Sequence, residues 1–301
     1  MSYRELYVSP SAPFSGFQRT FEEADYVVLG VPFDATSTFR CGARFAPLAV
    51  REASMNIETY SFRTGMDIED LKLHDLGDLH ISAEADETLR RLELVTRELA
   101  DAGKTPVLIG GEHTITFGAA RGVGRDAAII SFDAHLDLRN EYMGKTVSHT
   151  TFMRRIHESI RPRKILEIGT RAVCKEELEY AQESAIQYFT VHEIRSRKFK
   201  ETIDAILKAV ANCEKIYLTI DMDVLDPAFV PAVQNPEPDG LDMPMLLDFL
   251  GRIADSRIIA FDVVEVAPHY DGGVTAIQAA KTMFEILCHI EKGKKSEISN
   301  R

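Results

Sequence analysis

The chain has 301 residues, a formal net charge of −12 and a 45% apolar share, enough for one large α/β domain or two small ones. The acidic balance argues against a nucleic-acid binder, which shows a basic face, and no apolar run approaches the ~20 residues of a membrane span. The opening Met1-Ser2-Tyr3-Arg4-Glu5 lacks the apolar core of a secretory signal, and Cys41, Cys174, Cys213 and Cys288 lie far apart without a C-x-x-C pair, which reads as free thiols in the cytoplasm.

In chain order, strand-like apolar runs fall at 26–31, 73–76, 106–109, 127–132, 165–168, 187–191, 216–221 and 258–264. Helical periodicity fills the gaps. Over 84–102, Leu89, Leu92, Val95 and Leu99 form one stripe, with Gly103 placed to stop the helix. Over 201–211, Ile203, Ile206, Leu207 and Val210 face one way; a last helix at 274–291 follows Gly272-Gly273. It leads into a charged tail, 292–301, expected to fray. Strand–helix alternation without a Pro-, Gly- or Ser-rich linker or an internal repeat implies a parallel sheet between helices, in a single domain over 1–301 of about eight strands.

Two of these strands end in acidic clusters: Ser131-Phe132-Asp133-Ala134-His135-Leu136-Asp137 and Asp221-Met222-Asp223-Val224-Leu225-Asp226. Strand alternation would put Asp133, His135 and Asp137 on one face, and Asp221 with Asp223. Carboxylates gathered at the end of a buried strand are costly unless something positive sits among them. Gly110-Gly111-Glu112-His113 and Val264-Glu265-Val266-Ala267-Pro268 also follow strands, so four segments meet at the sheet edge where ligands of open parallel sheets bind. The oxygen-rich set with imidazoles from His113 and His135 suits Mn2+ better than a thiolate zinc site would. Asp133, Asp137, Asp221 and Asp223 supply four negative charges, matching two divalent ions able to activate a shared water. Singly, an Asp-x-Asp is a solvated turn or helix cap and a lone histidine a structural residue; His157 and His192 keep that bland reading.

These residues resemble the ureohydrolases, the family of agmatinase and arginase, over about 25–288. Gly30-Val31-Pro32-Phe33-Asp34 followed by Arg40-Cys41-Gly42-Ala43-Arg44-Phe45-Ala46-Pro47 is similar to its N-terminal signature, and 110–113, 131–137 and 221–227 to its three metal motifs. The resemblance implies a three-layer α/β/α fold around a parallel eight-stranded sheet, homotrimers or homohexamers, and two manganese ions per chain. His113, Asp133, Asp137 and Asp221 would serve one ion, His135 and Asp223 the other, with Asp133 and Asp221 bridging. Asp137 would also relay a proton to the leaving amine, Glu265 would orient the guanidinium, and His149 matches a mobile proton-shuttling histidine.

Substrate identity is the open part. Arginase places a carboxylate for the α-amino group where this chain has Cys174, a departure that speaks against arginine. Asn235-Pro236-Glu237-Pro238-Asp239-Gly240 and 137–142 resemble agmatinase segments, pointing to agmatine, with putrescine and urea as products. Gln234-Asn235 replaces the Gly-Thr or Gly-Ser common in that loop, which places Asn235 near the guanidinium. Arg139 at the mouth suits a carboxylate instead, as in 4-guanidinobutanoate; aminopropylagmatine and formiminoglutamate are further substrates of the same chemistry. The rivals from other classes are a metal-dependent deacetylase, which would keep one metal, and a non-catalytic relative, which would have lost a ligand.

Overall fold

A computed structural model describes residues 2–196 and 199–299 of the chain. Its strands are Val8–Ser9 (β1), Tyr26–Gly30 (β2), Tyr60–Ser61 (β3), Met66–Asp67 (β4), Leu73–Leu79 (β5) and Thr105–Ile109 (β6). They continue with Ala128–Phe132 (β7), Lys164–Thr170 (β8), Gln187–Thr190 (β9), Ile216–Asp221 (β10) and Ile258–Val264 (β11). The helices are Tyr3–Tyr7 (α1), Ala46–Ser54 (α2), Ala85–Asp101 (α3), Ile115–Val123 (α4) and Phe152–Arg155 (α5). After them come Lys175–Glu183 (α6), Val191–Ser196 (α7), Phe199–Ala209 (α8), Met243–Ile253 (α9) and Val274–Ser299 (α10).

Nine strands form the central sheet in the order β1-β5-β2-β6-β11-β10-β7-β8-β9. Every pairing is parallel except that of β1 with β5. The expected eight parallel strands are present; the ninth is a two-residue antiparallel edge, too short to carry periodicity. β2, β6, β7 and β10 are buried along their whole length, as strands covered by helices on both faces must be. One core packs α2, α8, α9 and α10 on one face, and the other packs α3, α4 and α5 on the opposite face, giving the three layers.

α3 buries the stripe Leu89, Leu92, Val95 and Leu99, and Gly103, at φ +70°, ends the turn after it. α4 lies so close to α3 that a Cβ on Gly122 would sit 1.9 Å from Thr96 Oγ1. Of the charged tail expected at 292–301, the part up to Ser299 continues α10, and 300–301 lie outside the described residues. Tyr26 donates a hydrogen bond to Glu291 at 2.9 Å, Lys294 Nζ lies 4.3 Å from the Tyr26 ring centroid, and Ser256 bonds Glu297. One face of the helical tail thus rests on Tyr26 and Ser256, while Lys292, Lys295 and Ser296 stay exposed. Among the described residues, no helix is long and apolar enough to cross a membrane.

α2 is tied to the sheet by Arg51, a fully buried guanidinium. Its Nε and Nη2 each donate to Asp75 at 2.8 Å, Nη1 donates to Asp78, and Nη2 reaches the Gly77 carbonyl at 2.9 Å. Removing one partner of such a pair strands the other charge in the interior. Arg51→Met is expected to lower unfolding stability by about 3–5 kcal/mol in denaturant titration; a loss below about 1 kcal/mol, the size of a surface pair, would contradict this reading.

Candidate metal centre

The four chemistry-bearing segments leave four strands that stand side by side, β6, β11, β10 and β7. Asp221 is level with Val264, and Phe132 with Ile220, so the residues that follow enter one space above the sheet. The acidic clusters are not extended strand, as alternation predicted. β7 ends at Phe132, and Asp133 Oδ1 accepts the His135 N–H at 2.6 Å; Asp221 Oδ1 accepts the Asp223 N–H at 2.8 Å. Each leading aspartate thus makes its own turn, and the turns, rather than a pleat, bring the side chains together. Asp137 (φ +50°) and Glu265 (φ +69°) occupy left-handed backbone that non-glycine residues seldom adopt.

His113 Nδ1 lies 3.0 Å from Asp133 Oδ2, 3.1 Å from Asp221 Oδ2 and 3.7 Å from Asp137 Oδ2. His135 Nδ1 lies 3.4 Å from Asp133 Oδ1 and 3.1 Å from Asp223 Oδ2. Two groups that could each hold a metal ion result: His113 with Asp133 and Asp221, and Asp133 with His135 and Asp223. Asp133 belongs to both and presents a different oxygen to each imidazole. Asp221 stands in the first group, and its other oxygen accepts the Asp223 N–H at the turn. Asp137 stands beside the first group without joining it.

The donor set fits divalent cations. It is all oxygen and imidazole nitrogen, and the buried Nδ1 of His113 has no hydrogen-bond partner among the described residues. Burial alone would depress His113, but Asp133, Asp137 and Asp262 overcome it and raise it to about 9. Burial likewise opposes protonation of His135, and Asp223 and Asp133 raise it well above the usual range. Asp137 and Asp221 are raised by burial and by neighbouring carboxylates. Asp133 goes the other way despite its burial, because an imidazole stands on each side. The same carboxylates that draw protons to these imidazoles would draw a cation.

Behind His113 runs a chain the sequence did not reveal. Its Nε2 meets Thr219 Oγ1 at 2.8 Å, Thr219 donates to Asp262, and Asp262 also accepts from Tyr217 at 2.6 Å and Thr116 at 2.8 Å. Engaging Nε2 leaves Nδ1 for the carboxylates. Asp262 is fully buried and raised by that burial, against His113 and these hydroxyls. The i, i+2 spacing of Thr219 and Asp221 was the one available clue.

Above the cluster, His135, Asp137, His149, Asp221, Asp223, Asn235 and Glu265 line a narrow chamber of about 30 Å³. It shares His135, Asp137, Thr150 and Asn235 with an outer cleft of about 400 Å³, bordered also by Thr38, Arg139, Tyr142, Arg171 and Glu237. Glu265 Oε1 accepts the His113 N–H at 2.6 Å, while its Oε2 and Asn235 Oδ1 are buried without a hydrogen-bond partner among the described residues. Burial pushes His149 down to about 3, helped by His135 and His113. Arg139 is at the cleft, its guanidinium 4.8 Å from the Tyr142 ring centroid and its Nε 3.9 Å from Glu177. Cys174 instead starts α6, its N–H donating to Glu177 at 2.9 Å, and does not border the cleft. His157 bonds Tyr180 at 2.8 Å and His192 lies in α7, both away from the centre. Arg171, missed in the sequence, spans the rim by donating to the carbonyls of Asp223 (2.6 Å), Glu237 (2.8 Å) and Pro238 (3.0 Å).

Residues 24–289 match the model of the arginase family. The chain belongs to the arginase family. An agmatinase of Bacillus anthracis is 36% identical over 89% of this chain and 92% of its own. An N(1)-aminopropylagmatine ureohydrolase of Thermococcus kodakarensis is 36% identical over 87% and 90%. The crystal structure of the agmatine ureohydrolase of Thermoplasma volcanium superposes with a TM-score of 0.89, at 33% identity over 96% of this chain and 97% of that one. The protein is thus a ureohydrolase of agmatinase-like type, with the arginase fold.

If Asp262 orients His113 through Thr219, Asp262→Asn is expected to weaken Mn2+ binding by about 10–100-fold in a chelator competition. Unchanged affinity would show that the buried chain does not support the metal groups.

Proposed function

We propose that the protein is a binuclear manganese agmatinase, hydrolysing agmatine to putrescine and urea. The observation that carries the reading is the pairing of two unpartnered buried acceptors, Glu265 Oε2 and Asn235 Oδ1, in a chamber floored by two metal-competent groups that share Asp133. A guanidinium brings a fork of N–H donors to such acceptors and a positive charge to an acidic cluster.

His113, Asp133, His135, Asp137, Asp221 and Asp223 would hold two Mn2+ ions. Bound there, the ions supply a water acidic enough to act as nucleophile at neutral pH. The protein's own groups do the rest. Glu265 cannot turn, because His113 N–H pins one of its oxygens, so the other fixes the guanidino carbon over the attacking oxygen. Asp137 stands beside the first group and lines the chamber, where its carboxylate is placed to pass a proton from the attacking water to the leaving nitrogen. His149 lines the chamber as a neutral imidazole, placed to exchange a proton with the substrate rather than to store one. Water attack breaks one carbon–nitrogen bond and releases urea and a free amine.

At the far end of the substrate, Glu237 offers a carboxylate to the second ammonium of agmatine. Arg139 is shared between Tyr142 and Glu177, which reduces its appeal to a substrate carboxylate. The agmatinase names of the relatives favour agmatine, and the aminopropylagmatine enzyme among them keeps that longer amine as the second candidate. One nine-stranded sheet, from whose neighbouring strands the four metal-motif segments leave, supports reading 1–301 as one domain. Four free cysteines support a cytoplasmic setting. Exposed Phe39, Leu48 and Phe62 are side chains a homotrimer or homohexamer would cover.

The test is urea release by Mn2+-loaded protein from agmatine, aminopropylagmatine, arginine and 4-guanidinobutanoate. Agmatine should be the best substrate, and Glu265→Gln should lower its turnover at least about a hundredfold while manganese content holds. Preference for 4-guanidinobutanoate would move recognition to Arg139, and no urea from any of the four would overturn the reading.

A further inference from the structure

His113 and His135 turn a nitrogen to carboxylates, but His149 is held by hydroxyls from a distant part of the chain. Its backbone N–H donates to Thr36 Oγ1 at 3.1 Å, and its Nε2 lies 3.0 Å from Thr38 Oγ1. Both threonines sit in the segment just past β2, which reaches the site because the neighbouring loop makes room. A Cβ on Gly111 would fall 1.9 Å from the Phe33 carbonyl oxygen, which instead accepts the Glu112 N–H at 2.8 Å.

Glu112 is the anchor. Its fully buried carboxylate accepts the Thr36 N–H at 2.8 Å, the Thr36 hydroxyl, and the Thr114 hydroxyl at 2.6 Å. The single proton of the Thr36 hydroxyl is thereby committed to Glu112, and its lone pairs face the His149 N–H. At Thr38 the pattern reverses. Asn235 Nδ2 approaches Thr38 Oγ1 at 3.5 Å as a donor, so the Thr38 hydroxyl proton is free to turn to His149 Nε2.

We propose that Thr38 is a positioning residue of the reaction, its hydroxyl fixing the rotation and tautomer of His149, with Thr36 and Glu112 holding the Thr38 segment in register. The inference rests on the ureohydrolase reading for its kinetic consequence, though not for the contact itself. A neutral imidazole accepts at one nitrogen and donates at the other. With Nε2 accepting from Thr38, the proton resides on Nδ1, and the ring reaches the substrate in one orientation. Proton transfer depends steeply on that geometry. Thr38 also borders the outer cleft, as does Asn235, so the clamp joins the chamber to its entrance.

Thr38→Val keeps the shape and removes the hydroxyl, while Thr38→Ser keeps the hydroxyl and removes the methyl. In the Mn2+-loaded full chain, Thr38→Val is expected to lower kcat by about 10–100-fold with KM and manganese content nearly unchanged, and Thr38→Ser to recover most of the loss. Nitrogen-15 imidazole shifts of His149 should report the Nδ1–H tautomer in the parent and a mixture in Thr38→Val. Valine turnover within twofold of the parent, equal loss in both variants, or an Nε2–H tautomer in the parent would each overturn the proposal. A parent that releases no urea from any guanidino compound would overturn the ureohydrolase reading, and the tautomer would still decide whether Thr38 sets the ring.

Discussion

Asp133 stands between two imidazoles, with Oδ2 3.0 Å from His113 Nδ1 and Oδ1 3.4 Å from His135 Nδ1. Around it Asp137, Asp221, Asp223 and Glu265 are all buried. Burial first, and mutual repulsion after it, raises the proton affinity of Asp137, Asp221 and Glu265. Positive charge must enter. With protons alone it sits on the two histidines; cations can take those places because each imidazole already faces a pair of carboxylate oxygens. The acidic chamber and its capacity for divalent cations follow from this one electrostatic requirement.

The fold meets the requirement by adjacency. β6, β11, β10 and β7 are neighbours, although β6 and β7 precede β10 and β11 in the chain by about a hundred residues. Four parallel strands that end together deliver four turns to one place, and helices on both faces exclude water below them. Two residues before Asp221, Thr219 stands opposite Asp262 in register, and the two fix His113 from behind. Arg171 fixes the rim by collecting carbonyls from the Asp223 turn and the Glu237 loop. The site is rigid beneath and borne on loops above.

The eight parallel strands and the long helices were legible in the sequence because burial on both faces writes continuous apolar runs, and α3 writes a 3.6-residue stripe. The acidic motifs were legible because each lies within seven residues of chain. Their local geometry was not, since Asp133 and Asp221 bond the backbone two residues on and turn where an extended strand was expected. Glu112, Thr36, Thr38 and Asp262 escaped notice for a different reason. A threonine or glutamate gains its role from partners far away in sequence, such as the 76 residues between Thr36 and Glu112, and carries no local pattern. The contacts of the tail were not legible either, since charge density suggests solvent and gives no sign that Lys294 and Glu297 meet Tyr26 and Ser256.

Two cation groups joined through one carboxylate are the central claim, and counting bound metal tests it most directly. After manganese loading and exhaustive dialysis, elemental analysis should find about two ions per chain in the parent protein and close to none in Asp133→Asn, since both groups lose a shared donor. One ion per chain in the parent, or a variant that keeps one ion tightly, would contradict the account.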